Sequence, residues 1–126
     1  MKRLLPIFLT IGVLFVSGCS QRGNLVTLRV MSYNIHHGEG MDGQLDLERI
    51  ASVIRSEQPD LVALQEVDRG TRRTEQIDQP ARLAELTGMQ AVFERNIDYQ
   101  GGEYGNAVLS RLPVRRHENH HLPSLT

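Results

Sequence analysis

This 126-residue sequence has little cysteine, almost no excess of either charge sign and no long apolar run. A single cysteine, Cys19, excludes an intramolecular disulfide. The 14 basic and 15 acidic residues give a formal net charge of −1, which argues against a strongly basic nucleic-acid-binding surface. The longest mainly apolar run, Leu4 to Val16, is too short for a good membrane-spanning helix. With 40% hydrophobic residues, 23% charged residues and no internal repeat, the sequence predicts one modest domain.

The first 18 residues have the order of a secretory signal peptide. Lys2 and Arg3 precede the apolar run, and the small residues Ser17 and Gly18 follow it. The tetrad that ends at Cys19 resembles the lipobox of bacterial lipoproteins, which implies lipidation of Cys19, export and a lipid anchor in the cell envelope. A free exported thiol is the alternative. Loss of Lys2 and Arg3 would lower the 14 basic residues to 12 against 15 acidic ones, a net charge near −3.

A strand–helix–strand unit is predicted after a short polar tether over residues 19–24. Alternating apolar residues predict a strand from Leu25 to Tyr33, and three glycines predict a loop from His36 to Gln44. Asp46 is a candidate N-cap for an amphipathic helix that starts at Leu47 and stops before Pro59. The next strand, Asp60 to Glu66, contains four consecutive apolar residues and is expected to be buried on both faces.

Asn34 and Glu66 each follow the apolar part of one of these two strands. Strands joined by a crossover helix run parallel and are usually adjacent, so both side chains should emerge at the same edge of the sheet. Their oxygens are the hard ligands that suit Mg²⁺ or Mn²⁺. Glu66 could instead be the first solvated residue after a core strand, and Asn34 could cap the turn into the histidine-containing loop.

The remainder of the chain predicts a loop over residues 67–79, a short helix from Pro80 to Gly88 and further strands. Strands are expected over residues 89–94 and 104–110, joined by a loop over residues 96–102. Leu112-Pro113 breaks the pattern, and residues 114–120 are a candidate for one more strand.

Three blocks resemble the endonuclease/exonuclease/phosphatase superfamily, the fold of pancreatic-type deoxyribonuclease. They are Met31-Ser-Tyr-Asn34-Ile-His-His-Gly38, Gln58-Pro-Asp-Leu-Val-Ala-Leu-Gln-Glu66-Val67 and Tyr104-Gly-Asn-Ala-Val-Leu-Ser-Arg-Leu-Pro-Val114. The resemblance implies an α/β fold, a four-layer αββα sandwich of which residues 25–126 supply the amino-terminal half. It also implies a metal-dependent phosphoester hydrolase, either a nuclease or a phosphatase.

Within this resemblance, Asn34 and Glu66 match the metal-binding asparagine and glutamate of the family. Tyr104 and Asn106 lie in the block that borders the substrate cleft, although Tyr104 could equally pack at a strand start. Arginines follow Glu66 on the same edge and are candidates for contacts with substrate phosphate, or simply for solvated loop positions. These arginines are Arg69, Arg72 and Arg73.

The five histidines are candidate metal ligands. His36 and His37 are next to Asn34 and could line the site, but loop histidines more often face solvent. The remaining three resemble a metal cluster by composition only and lack the regular spacing of zinc sites. They are His117, His120 and His121.

The family also uses a central histidine, an Asp-x-Asn pair and a terminal Asp-His pair, none of which can be placed in this sequence. The chain is therefore expected to be an amino-terminal portion of a longer enzyme and nearly inactive alone. An exposed sheet face should then promote self-association. The expected substrates are extracellular nucleic acid or a lipid head group, and no defined protein partner is expected. A non-catalytic envelope lipoprotein that serves as a binding or scaffold module is the alternative.

Overall fold

The computed structural model describes residues 25–120 and residue 123. The predicted signal peptide over residues 1–18, the tether over residues 19–24 with Cys19, and His121 lie outside the described residues. Within the described part of the chain, no helix is long and apolar enough to cross a membrane.

The described residues form four strands and two α-helices, with tight turns at His36–Gly38 and Arg72–Thr74. The elements are β1 (Val30–Asn34), α1 (Leu47–Glu57), β2 (Leu61–Arg69), α2 (Gln79–Thr87), β3 (Gln90–Tyr99) and β4 (Gly102–Ser110). The strands form one sheet in the order β1-β2-β4-β3. β1 pairs with β2 in parallel, and the other pairs are antiparallel. The predicted parallel, adjacent strand pair is therefore confirmed.

Both helices have the ends that their sequences predict. The Asp46 carboxylate accepts the Arg49 N–H at 2.9 Å and caps the first turn of α1, whose last turn ends just before Pro59. Pro80 lies at the start of α2, and Gly88 ends that helix in the left-handed conformation with a φ of 68°. A capping aspartate, two prolines and a glycine therefore determine where the two helices begin and end.

The helices cover one face of the sheet and leave the other open. Ala51 and Ile54 of α1 and Leu83 of α2 pack against Val62 and the apolar residues near it. The prediction that the four apolar residues of β2 are buried on both faces is wrong, because the helices cover only one face. Val62 and Leu64 are buried, whereas Leu61 and Ala63 are partly exposed on the open face.

Several predicted boundaries are wrong. β1 starts at Val30 rather than Leu25, since the first residue of β2 to pair with it is Leu61. β2 continues to Arg69, into the predicted loop over residues 67–79. β3 and β4 extend through residues 95–99 and 102–103, so the predicted loop over residues 96–102 is a tight hairpin. Of residues 114–120, all described, none is in a strand, because this charged, exposed segment has no strand partner there.

Candidate metal centre

A β-bulge in β2 directs Glu66 out of the core. Leu64 pairs with Ala107 and Val67 pairs with Gly105, so Gln65 and Glu66 together oppose the single residue Asn106. In a regular strand Glu66 would share the helix-covered face with Leu64, because side chains alternate with a period of two. The extra residue gives that core position to Val67, and Glu66 adopts a φ of 58°. The bulge thus frees the carboxylate.

Asn34 holds the Glu66 carboxylate from the neighbouring strand. Its Nδ2 donates to Glu66 Oε1 at 2.7 Å, and its Oδ1 accepts the backbone N–H of His36 at 3.0 Å. The two partners fix the orientation of the amide, because a reversed amide would place its oxygen against the carboxylate. The predicted convergence of Asn34 and Glu66 is confirmed. Asn34 also caps the following turn, as the alternative reading had it.

The His36–Gly38 turn carries two imidazoles beside this pair. His36 and His37 both have left-handed backbone angles, with φ of 46° and 44°. His36 is exposed, whereas His37 is 8% exposed, so the expectation that loop histidines face solvent is wrong for His37. The Gln79 side chain anchors the turn by donating from Nε2 to the His37 carbonyl oxygen at 2.6 Å. The turn is therefore held in place from α2.

His36, His37 and Glu66 form a cluster of metal-ligand type. Each offers one ligand atom, and these atoms all lie within 4.8 Å of one another. The sequence left open whether the two histidines line the site or face solvent, and in the structure their ligand atoms lie beside the Glu66 carboxylate. The available signal was their position immediately after Asn34, which the parallel pairing carries to the same sheet edge as Glu66.

Asp68 is a buried carboxylate that sequence reasoning missed. Its side chain is fully buried, and Arg73 binds it through two hydrogen bonds of 2.7 and 2.9 Å. Thr71 Oγ1 donates to it at 2.6 Å. Burial favours a higher pKa for Asp68, but the hydrogen bonds from Arg73 and Thr71 outweigh it and the pKa is lowered from its usual value. The signal in the sequence was an acid followed by threonines and arginines in a polar segment.

Tyr104 is brought to the same edge of the sheet. The Arg73 guanidinium lies 5.4 Å from the centre of the Tyr104 ring and 4.6 Å from that of Tyr99. Burial raises the pKa of the Tyr104 phenol, and the negative charge of Glu66 raises it further. The phenol is therefore a neutral hydrogen-bond donor near the Glu66 carboxylate at physiological pH.

The other predicted substrate contacts are placed differently. Arg69 donates to Glu103 at 2.5 Å and lies over the ring of Phe93, which packs against the core. Arg72 is exposed at the Arg72–Thr74 turn. Asn106 is exposed on the open face, opposite the bulge. Among the described residues, Glu66 thus accepts a hydrogen bond from Asn34, and no hydrogen bond joins it to Arg69, Tyr104 or Asn106.

The carboxy-terminal histidines lie apart from this cluster. His117 pairs with Glu94 of β3 at 3.1 Å, and His120 lies 3.7 Å from Glu118. Among the described residues, neither belongs to the group of potential metal ligands around Glu66.

A cleft of about 440 Å³ opens beside the centre. Asn34 and His36 line it on one side, and Ile50 and Val53 of α1 line it on the other. Its size falls within the range of small-molecule sites in proteins. The cleft therefore adjoins the centre through Asn34 and His36 and has a partly apolar wall.

The fold and the comparisons define a class: the chain has part of the deoxyribonuclease I-like fold, whose members are generally hydrolases. It belongs to the endonuclease/exonuclease/phosphatase family, whose model matches residues 31–126. This family suggests phosphoester hydrolysis and is typically dependent on divalent metals. The predicted fold class is confirmed, and the described residues supply one helical layer and one sheet of it.

Relatives extend beyond the part that this chain matches. The "Uncharacterized protein YbhP" of Escherichia coli (strain K12) is 29% identical over 102 residues, which cover 74% of this chain and 40% of that protein. An endonuclease/exonuclease/phosphatase structure from Beutenbergia cavernae is 38% identical, with a TM-score of 0.53, over 68% of this chain and 26% of its own. A structure of an endonuclease/exonuclease/phosphatase family protein from Leptotrichia buccalis has a TM-score of 0.55 and is 17% identical. The match covers 71% of this chain and 40% of that protein chain. The chain thus spans two fifths of the curated relative's length.

Proposed function

We propose that the protein is a divalent-metal-dependent phosphoester hydrolase whose anionic metal ligand is Glu66. The observation that carries the proposal is the position of this carboxylate, which the β-bulge turns out of the core and Asn34 holds at 2.7 Å. A bulge next to a functional group is a common device for aiming it. A merely solvated glutamate would need neither a left-handed backbone nor a buttress from the adjacent strand.

The residues around Glu66 fit a divalent ion. Glu66 offers a carboxylate with one oxygen outside the Asn34 hydrogen bond, and Asn34 Oδ1 retains a second lone pair beside its bond to His36. Such oxygen donors suit Mg²⁺ and Mn²⁺. A bound ion would polarise a phosphoryl oxygen of the substrate toward attack by water.

Tyr104 supplies a neutral donor for the substrate. Its raised pKa keeps the proton on the phenol, so the hydroxyl can donate to a phosphoryl oxygen without adding negative charge near Glu66. Arg73 holds the Tyr104 and Tyr99 rings against the segment that carries Asp68. Arg69 and Asn106 would contact more distant parts of the substrate at the same end of the sheet.

Metal binding by the purified 126-residue chain tests this assignment. We expect Mn²⁺ to bind with a stoichiometry near one in isothermal titration calorimetry, and Glu66→Gln to weaken binding by at least about 10-fold because it removes the ligand charge. Glu103→Gln, at a carboxylate paired with Arg69, is the matched control. Equal Mn²⁺ affinity of wild type and Glu66→Gln would refute the role of Glu66.

The chain alone is expected to hydrolyse bis-p-nitrophenyl phosphate and plasmid DNA barely above background. The catalytic residues that the family resemblance requires cannot be placed in it, and loss of a cooperating set removes most of the rate enhancement. Turnover that Glu66→Ala abolishes would contradict this expectation. Reading the nucleotide sequence downstream of the last codon gives an independent check. Encoded Asp-x-Asn and Asp-His pairs support the hydrolase, and their absence in all frames favours the binding module.

We place the protein in the cell envelope, with Cys19 as its lipid attachment site and extracellular nucleic acid or a lipid head group as its substrate. Support comes from the signal-like order of residues 1–18 and the lipobox-like tetrad. Metabolic labelling with radioactive palmitate in a bacterial host should mark the wild-type protein and not Cys19→Ser. Labelling of both proteins, or of neither, would argue against the anchor.

A further inference from the structure

The His36–Gly38 turn is strained, and its strain lies where the two imidazoles meet Glu66. Two consecutive non-glycine residues with positive φ are uncommon, because the left-handed conformation brings Cβ too close to the following carbonyl oxygen. Glu66 itself has a φ of 58°. All three side chains that make up the cluster therefore start from backbone angles that L-residues avoid. Such outliers tend to collect at ligand clamps and active sites.

The turn is also fixed before any ligand arrives. Asn34 Oδ1 accepts the His36 N–H, and the Gln79 side chain donates to the His37 carbonyl oxygen. Gly38 N–H donates to the Ile35 carbonyl oxygen at 2.9 Å, which closes the turn. An added Cβ at Gly38 would meet Leu47 Cδ2 at 2.8 Å, so the turn sits tightly on α1. The backbone that carries both imidazoles is therefore held beside Glu66.

Glu39 offers a hydrogen-bond acceptor to each of the two imidazole rings. His36 Nδ1 lies 3.4 Å from the Glu39 carbonyl oxygen, and His37 Nε2 lies 3.4 Å from Glu39 Oε2. In the tautomers that donate at these atoms, the opposite ring nitrogens keep their lone pairs. Metal-binding histidines commonly donate their second ring N–H to a carbonyl or carboxylate in this way.

From this geometry we infer that His36 and His37 ligate the metal together with Glu66, and that the centre prefers a first-row transition ion such as Mn²⁺ to Mg²⁺. Mg²⁺ favours oxygen ligands, whereas first-row transition ions also accept imidazole nitrogen, with an affinity that rises from Mn²⁺ to the later ions. The ligand atoms lie within 4.8 Å of one another, a separation that a single ion can span. This inference rests on the proposed function, because it assigns further ligands to the same centre.

Electron spin-echo spectroscopy of the Mn²⁺-loaded 126-residue chain tests the inference without any activity assay. We expect ¹⁴N modulation from directly bound imidazole. We also expect Mg²⁺ to displace bound Mn²⁺ poorly. The Mg²⁺ concentration needed for displacement should be at least about 10-fold higher than for a site with oxygen ligands alone. A spectrum without ¹⁴N modulation, or equal competition by Mg²⁺, would overturn the inference.

Variants identify the ligands. His36→Asn and His37→Asn keep a residue type that tolerates positive φ but replace the imidazole with an amide. The double variant should lose the ¹⁴N modulation and bind Mn²⁺ about 10–100-fold more weakly. His117→Asn, at a histidine paired with Glu94, is the control and should change neither. Unchanged modulation in the double variant would exclude both rings. His36 is exposed, so its single variant remains informative if the His37 variant fails to fold.

Glu66→Gln separates this inference from the proposed function. If Glu66→Gln weakens Mn²⁺ binding but the wild type shows no ¹⁴N modulation, the metal site stands and the imidazole ligands fall. If Glu66→Gln leaves Mn²⁺ binding unchanged, both assignments fall.

Discussion

At the scale of single residues, the most consequential pair outside the metal centre is Asp68 with Arg73. The carboxylate is fully buried, and its partners Arg73 and Thr71 belong to the segment that follows β2. Arg73 also contacts the rings of Tyr99 and Tyr104. One buried charge therefore connects the end of β2, the next turn and the β3–β4 hairpin.

Replacement of Asp68 by asparagine should destabilise the fold and make its free energy of unfolding depend less on pH in the acidic range. Breaking a fully buried ion pair costs roughly 3–5 kcal/mol. Arg73 keeps 26% of its side-chain surface exposed, so we expect a loss of about 3 kcal/mol or less near neutral pH. The folded-state pKa of Asp68 lies below its ordinary value of 3.8, so its contribution is complete above that pH and is lost as the pH falls through the folded pKa.

Urea unfolding at pH 7, 5, 4 and 3 measures this effect. The difference in free energy of unfolding between wild type and Asp68→Asn should be constant from pH 7 to 5 and shrink below about pH 4. Asp98→Asn is the control, because Asp98 pairs with Arg95 at the surface, where such pairs contribute about 0–1 kcal/mol. A difference that is independent of pH down to 3 would contradict the role of the Asp68 charge.

At the scale of elements, the sequence predicts what local chemistry decides. The helix ends are marked by Asp46, Pro59, Pro80 and Gly88, because a capping side chain, a proline ring and a glycine each act on the adjacent turn of the backbone. The crossover helix between two apolar strands also predicts that Asn34 and Glu66 converge. Strand lengths are less predictable, because β3 continues through polar residues that pair through their backbone with β4.

Neither the bulge at Glu66 nor the buried pair of Asp68 and Arg73 can be predicted from the sequence, and the physical reason is similar for both. Glutamate has no preference for positive φ, so nothing local announces the conformation of Glu66. It arises because Val67 must fill a core position in the sheet. Likewise, Asp68 is buried only because Thr71 and Arg73 fold back over it. Both features depend on tertiary packing, and the placement of His36 and His37 against Glu66 depends on both strands.

Among the glycines that the structure describes, Gly105 is the one at which an added Cβ would come closest to another atom. A Cβ at this position would lie 2.0 Å from the Glu94 carbonyl oxygen and 3.1 Å from Arg95 Cα, both backbone atoms of β3. Because a paired backbone cannot move aside as a flexible side chain can, Gly105→Ala should cost about 3 kcal/mol or more. In a domain of this size, such a loss lowers the melting temperature by roughly 10–20 °C.

Thermal unfolding followed by circular dichroism checks the prediction. Asn106→Ala, at the adjacent exposed position of β4, should stay within about 0.5 kcal/mol of the wild type. If Gly105→Ala melts at the temperature of Asn106→Ala, the close approach of β3 and β4 at this point is not a constraint in solution.

At the scale of the whole molecule, the sheet has one covered face and one open face. α1 and α2 bury the first, whereas Val30 is 65% and Val108 is 42% exposed on the second. The segment after β4 covers part of it through His117, which pairs with Glu94, and through the Val114 N–H, which donates to Gln90. The cover is polar and leaves apolar surface accessible to a second molecule.

We expect the purified chain to self-associate through this face. Sedimentation velocity between about 5 and 200 μM should show an average mass that rises with concentration, since exposed apolar sheet surface favours association. Val30→Lys combined with Val108→Lys should shift the chain toward monomer. Val53→Lys, at a 37% exposed valine on α1, is the matched control. A monomer throughout this range, or an equal effect of the control, would contradict the prediction.

The bulge at Gln65 and Glu66 makes the centre sensitive to chain length as well as to residue identity. Deleting Gln65 would remove the bulge, so that Glu66 would directly follow Leu64, take the regular open-face position opposite Asn106 and lose the left-handed backbone that sets its carboxylate against Asn34, with no change in the glutamate itself. At the β3–β4 hairpin, a one-residue insertion beside Gly101 falls outside the ladder. Over evolutionary time, single-codon insertions and deletions should therefore be purged around Glu66 and accepted at Gly101.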